Sequence, residues 1–243
     1  MKTIGLLGGM SWESTETYYR AINEAIRGKL GGLHSAKIVL YSVDFHEIEQ
    51  LQQAGKWDEA GDALGHAARS LQRAGAEFIV LCTNTMHRVA DEIERHISIP
   101  LLHIADATAQ EIKGMGITRV GLLGTRYTME QDFYRGRMAR HGLEVITPDE
   151  KDRETVHRVI YDELCLGLIR KESRDHYKRI IEGLAHRKID GVILGCTEIS
   201  LLVKPEDSPV PLFDTTRIHA RQAAAWSLQE GHLTEPRLSQ ATE

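Results

Sequence analysis

Thr3-Ile4-Gly5-Leu6-Leu7-Gly8-Gly9-Met10-Ser11 lies at the start of the chain. Its apolar run has no polar alternation and stops at a pair of glycines. Such a run reads as a strand covered on both faces, the habit of parallel sheets. The phrase returns as Arg119-Val120-Gly121-Leu122-Leu123-Gly124-Thr125. Two more phrases recur in the same order. Phe78-Ile79-Val80-Leu81-Cys82-Thr83 is echoed by Gly191-Val192-Ile193-Leu194-Gly195-Cys196, and Ile104-Ala105-Asp106-Ala107-Thr108 by Leu212-Phe213-Asp214-Thr215-Thr216. Each echo lies a little over a hundred positions downstream. Three matches in one order indicate a duplicated α/β unit.

Working outward, further runs read as strands at 36–43, 100–103, 143–147 and 210–213. Helical periodicity fills the gaps near 13–29, 57–74, 88–96, 106–115, 130–141, 153–166, 173–187 and 215–229. The expected architecture is α/β: two similar Rossmann-like or flavodoxin-like parallel-sheet domains, related by a pseudo-two-fold axis. The first spans 1–104 plus a returning helix within 215–243, and the second spans 105–214. Ligands of parallel sheets bind at the carboxyl ends of the strands. Facing halves would therefore bring Thr83 and Cys196 to opposite walls of one cleft. The polar stretch 232–243 is expected to fray.

Composition narrows the function. Among 243 residues, 42% are hydrophobic and 27% charged, as in an ordinary folded protein. The net charge of −5 gives no basic excess for nucleic acid. No apolar run approaches a membrane span, and the start lacks a signal-peptide pattern. A cytoplasmic location is expected. The three cysteines, Cys82, Cys165 and Cys196, make no disulfide framework. The 12 histidines show no metal-ligand spacing, so no metal is expected.

Four strand-end segments could carry chemistry. Gly8-Gly9-Met10-Ser11 suits either backbone contact with an anion or a tight turn into a helix. Gly124-Thr125-Arg126-Tyr127-Thr128 is its counterpart. Thr83-Asn84-Thr85-Met86-His87 offers donors for a carboxylate, or simply caps a helix. His87 reads more readily as structural than as a base. Gly195-Cys196-Thr197-Glu198 is the strongest signal. A thiol ahead of a helix N-terminus is expected to have a lowered pKa and to act as a nucleophile or proton carrier. Cys165 and Cys82 read as inert packing residues. His157, His176 and His186 read as solvated.

These motifs, from Gly5-Leu6-Leu7-Gly8-Gly9-Met10-Ser11-Trp12 through Gly195-Cys196-Thr197-Glu198-Ile199 to Phe213-Asp214-Thr215, resemble the aspartate/glutamate racemase family over nearly the whole length. The resemblance implies two α/β domains around a cleft, and chemistry without pyridoxal phosphate, metal or other cofactor. It also implies a cysteine from each domain flanking the substrate Cα. The second, in Gly-Cys-Thr-Glu, is present as Cys196. The first belongs to Cys-Asn-Thr-x-His and reads Thr83-Asn84-Thr85-Met86-His87 here, so Thr83 replaces a cysteine. The expected substrate is an amino dicarboxylate, aspartate or glutamate. Substrate contacts are expected from Met10, Gln52, Asn84, Thr85, Thr125, Thr197 and Glu198. Cys196 is expected to deprotonate the L-enantiomer, with Thr83 a poor base for the other. A homodimer is compatible with the resemblance. A single-cysteine decarboxylase or cis–trans isomerase of a dicarboxylic acid, and an amino-acid-binding protein, remain as alternatives.

Overall fold

The structure, a computed structural model, describes residues 1–229. The expected tail at 232–243 lies outside the described residues. Eight short strands form two parallel sheets. The first contains β1 (Ile4–Gly8), β2 (Ile38–Ser42), β3 (Phe78–Leu81) and β4 (Leu101–Leu102), in the order β2-β1-β3-β4. The second contains β5 (Arg119–Gly124), β6 (Glu144–Ile146), β7 (Val192–Gly195) and β8 (Leu212–Asp214), in the order β6-β5-β7-β8. The same order occurs twice, as the repeat predicts. Every residue of β1, β3 and β7 is buried, which explains why these strands read as continuous apolar runs.

Helices join the strands: α1 (Trp12–Leu30), α2 (Phe45–Gln53), α3 (Trp57–Arg73), α4 (Ala90–Arg95) and α5 (Ile104–Gly114) in the first half. Then follow α6 (Arg126–Glu130), α7 (Asp132–Arg140), α8 (Glu150–Asp162), α9 (Lys171–Ala185), α10 (Ile199–Leu202) and α11 (Thr215–Leu228). Among the described residues no helix is long and apolar enough to cross a membrane. The expected helix at 88–96 is α4, preceded by a tight 3-10 turn, Thr85–Val89, and that at 130–141 is α7, set off at Gln131 from the short α6. The expected helix at 153–166 stops at Asp162 and gives way to a 3-10 turn, Leu164–Leu166. The helix α2 went unread because its charged and amide residues mask a thin apolar stripe.

Spacing decides packing. On α1, Tyr18, Ile22 and Ile26 fall at four-residue intervals and are fully buried. They meet Ala220, Ala223 and Ala224 of α11, whose small side chains allow close approach. Trp226 of α11 stacks edge-on against Phe78 of β3 at 5.7 Å, so the last helix covers the first sheet. Each fully buried Leu or Ile contributes about 1.5–3 kcal/mol, and Leu64 on α3 is one such residue. A Leu64→Ala change would cost about 2–5 kcal/mol.

The turn after β1 is tight. Gly9 has φ +95°, and a Cβ there would lie 2.3 Å from the Val43 carbonyl oxygen. Its amide donates to Thr15 Oγ1 at 2.8 Å, and Ser11 caps α1 by accepting from Ser14 N–H. These groups of the Gly8–Ser11 turn are engaged within the protein, in line with the structural alternative for it.

Candidate active site

The register of the two sheets sets the site. Leu7 pairs with Leu81 across β1 and β3, and Leu123 pairs with Leu194 across β5 and β7. Two residues further along stand Thr83 and Cys196. They occupy the same step past equivalent strands, as the internal repeat indicates. Thr83, Asn84 and Thr85 of the first half, and Thr125, Cys196, Thr197 and Glu198 of the second, line one cavity together with Met10 and Gln52. Every residue singled out for substrate contact therefore stands in this wall. The cavity is small, about 30 Å³.

Cys196 Sγ donates to Glu198 Oε2 at 3.0 Å, and Ser11 Oγ donates to Glu198 Oε1 at 2.8 Å. One carboxylate thus ties the thiol to the cap of α1 in the other half. Glu198 holds the thiol in this arrangement. Cys196 retains some exposed surface, yet desolvation by its neighbours and then the Glu198 charge raise its pKa well above the ordinary value. This corrects the expectation of a lowered pKa. The helix that follows, α10, is a single turn and starts three residues later. It is a weak dipole, and a buried carboxylate beside the sulfur outweighs it.

Thr83 is half-buried, with its carbonyl accepting from His87 Nδ1 at 2.7 Å. His87 Nε2 accepts from the Ile104 amide at 3.2 Å, so the ring hydrogen is on Nδ1. Burial, and then His219, lower the His87 pKa to about 3. His87 is neutral and outside the cavity wall, which makes it a brace for the Thr83 turn. Cys82 is fully buried, its thiol 3.6 Å from the Val80 carbonyl, and it does not line the cavity.

Asn84 Nδ2 donates to Thr215 Oγ1 at 3.0 Å, and Thr215 donates on to the Leu194 carbonyl. The amide is thereby oriented, and its buried Oδ1 has no partner. Asn84 thus offers the site an acceptor besides the donor expected for a carboxylate. Thr85 Oγ1 lies 3.0 Å from Thr125 Oγ1, joining the halves. Ser14 Oγ donates to the Cys82 carbonyl, so Thr197 must donate to Ser14 at 2.7 Å, and Thr216 to Thr197 at 2.8 Å. Gln52 Nε2 contacts Met86 Sδ, and Tyr161 Oη–H reaches Gln52 Oε1 at 3.5 Å.

Sequence reasoning missed Ser11, Ser14, Phe45, Ile160 and Tyr161 in this wall. Ser11 carried a signal, a cap position after a strand-end glycine pair. Tyr161 and Ile160 carried none, because α8 reaches the site only through tertiary packing. Cys165, expected as inert packing within a helix, instead follows the end of α8 and lines the cavity. Burial pushes its pKa up to about 12. His157, expected to be solvated, is half-buried and accepts from the Arg126 amide. Among the described residues no Lys, Arg or His lines the cavity, and Glu198 is its one formally charged member.

Two sheets of identical strand order, with a hydroxyl and a thiol at matching strand ends around a shared cleft, define a duplicated α/β protein of the racemase type. The Asp/Glu/Hydantoin racemase family matches residues 7–223, and the chain belongs to this family. It is 24% identical over 230 residues to the broad specificity amino-acid racemase RacX of Bacillus subtilis (strain 168), covering 91% of this chain and 96% of that protein. A crystal structure from Yersinia pestis, provisionally named an Asp/Glu racemase, is 63% identical with a TM-score of 0.89. It covers 94% of this chain and 100% of the other. An aspartate racemase homologue from Pyrococcus horikoshii OT3 is 37% identical with a TM-score of 0.83, over 94% and 100% of the two chains.

Proposed function

We propose that this protein is an amino-acid racemase that inverts Cα of aspartate or glutamate by proton transfer at two opposed faces. Cys196 serves one face and Thr83 the other. The observation that carries the reading is the equivalence of these residues in sheet register, together with their shared cavity.

The chemistry needs an acid/base group on each side of the stereocentre. The resting thiol is protonated, so it must first pass its proton to Glu198 Oε2, its neighbour at 3.0 Å. The thiolate then takes the α-hydrogen: the C–H bond breaks, an S–H bond forms, and the electron pair moves into the substrate carboxylate as an enediolate. The hydroxyls of Thr85 and Thr125 are the donors that would meet that charge. The unpartnered Asn84 Oδ1 suits an α-ammonium group. A threonine hydroxyl is too weak an acid to ionise near neutral pH, so on the far face Thr83 orders a water that donates a proton to the carbanion, and the hydroxide left behind takes, through solvent, the proton held on Glu198.

Thermodynamics shapes the outcome. Enantiomers have equal free energy, so a weak far-face base lowers kcat/KM equally in both directions. Exchange of the α-hydrogen without inversion can still be one-sided. Deuterium incorporation at Cα, followed for each enantiomer, tests the reading. The expected result is exchange into L-aspartate that outpaces inversion; exchange into neither enantiomer would end it. Carbon dioxide release or double-bond isomerisation would favour the single-cysteine alternatives, and binding without exchange the non-catalytic one.

A second reading concerns the substrate side chain. A buried carboxylate without a cationic partner is costly. The cavity wall sets Phe45, Ile160 and Met10 beside the Gln52 amide and the Tyr161 hydroxyl, with no guanidinium or ammonium among its described residues. This lining favours a neutral side chain. Asparagine and aspartate are near-isosteric, and comparing their kcat/KM separates the two readings. A higher value for aspartate removes the second.

A further inference from the structure

A second cavity of about 150 Å³ lies between the halves and shares no lining residue with the first. His87, Arg88 and Asp91 wall it from the segment after β3, and Asp132, Arg137 and Arg140 from α7. His103, at the carboxyl end of β4, also lines it.

A hydrogen-bond account of three buried histidines shows what this cavity offers. His87 is saturated by the Thr83 carbonyl and the Ile104 amide. His219 is saturated by the Tyr18 hydroxyl and the Leu102 carbonyl. His103 caps α5, its Nδ1 accepting from the Ala105 amide at 3.1 Å. Burial holds this ring neutral, so its hydrogen is on Nε2. His103 is only 5% exposed, and it lines the cavity, so that N–H opens on the cavity. A donor placed in a cavity wall is available to any acceptor that enters the cavity.

The surroundings indicate the acceptor. A protonated Nε2 cannot ligate a cation, and the Arg88 and Arg140 guanidinium groups repel one. Arg88 lies 4.1 Å over the Trp57 ring, Arg137 forks onto Asp106, and Arg140 is exposed one turn further along α7. Asp91 and Asp132 stand on the same wall but are exposed, so water satisfies them.

We propose that this cavity binds a compact oxyanion, a phosphate or a small carboxylate, through the His103 Nε2–H and the guanidinium groups of Arg88 and Arg140. The site is too small for a nucleotide. It touches the racemase machinery only through His87, which braces the Thr83 carbonyl.

The test is calorimetric titration of the full chain with inorganic phosphate and, in parallel, with succinate. One saturable site is expected, and the tighter of the two anions identifies the source. His103→Asn retains a cap acceptor for α5 and removes the N–H, so about tenfold weaker binding or more is expected. Arg140→Ala, an exposed change that leaves the fold intact, is expected to weaken binding severalfold. Cys196→Ala lies in the other cavity and should leave the affinity unchanged. The proposal is overturned if neither anion saturates the wild type, if both His103→Asn and Arg140→Ala bind as the wild type does, or if Cys196→Ala abolishes binding. None of these readouts depends on racemase activity.

Discussion

The wall that carries Thr83 and the wall that carries Cys196 share strand order and register, yet they are braced by different chemistry. The Thr83 turn rests on neutral histidines, His87 against Ile104 and His219 against Tyr18, all within the first sheet and its helices. Cys196 rests on a charge, the Glu198 carboxylate, which also grips Ser11 from the other half. Duplication copies the backbone path, because the packing of apolar strands dictates it. The polar brace can diverge, because each side chain answers only to its immediate neighbours. The brace of Cys196 therefore reaches across the halves, whereas that of the Thr83 carbonyl stays within the first.

Four measurements would break or sharpen this contrast. The largest effect is expected from Cys196→Ala, which should lower α-deuterium incorporation into L-aspartate by about 100-fold or more. Retention of full exchange would remove the thiol from the chemistry. Next, Thr83→Cys should raise the racemisation rate by about tenfold or more by supplying the missing base; an unchanged rate would mean that position 83 does not face the substrate.

The third measurement addresses the histidine brace. His87 and His219 titrate at about 3 and about 4 in the folded chain, both lowered chiefly by burial, against roughly 6.5 when unfolded. Their contribution is complete above the unfolded value and is lost as pH falls through the folded values. Between those limits stability should drop by about 1.4 kcal/mol per pH unit for each ring. Urea midpoints between neutral and acid pH check this. His87→Gln, which can still donate and accept, should flatten the slope; an unaltered slope would place the acid sensitivity elsewhere.

The last measurement reads the thiol itself, in Glu198→Gln. Removing the carboxylate takes away a charge that opposes thiolate formation, so the Cys196 pKa should fall. The pH profile of iodoacetamide alkylation reads this directly. A midpoint that stays put or rises would show that desolvation alone sets the thiol.

Apolar runs repeated in order were enough to read eight parallel strands in two units, since strands covered on both faces, such as β1, β3 and β7, are apolar throughout. Thr83 and Cys196 could be paired from the repeat, because a residue's step past a strand end is a local property. Other features needed the third dimension. The raised pKa of Cys196 follows from a carboxylate folded back onto it and from the desolvation around it. Tyr161, Ile160 and Cys165 reach the cavity because α8 and the turn after it pack over the cleft. Where the His103 N–H opens depends on which atoms happen to surround one ring. Strand composition reports burial, which is averaged over many contacts and so survives in the sequence. Protonation and hydrogen-bond partners depend on single distances of about 3 Å, and only the folded chain sets those.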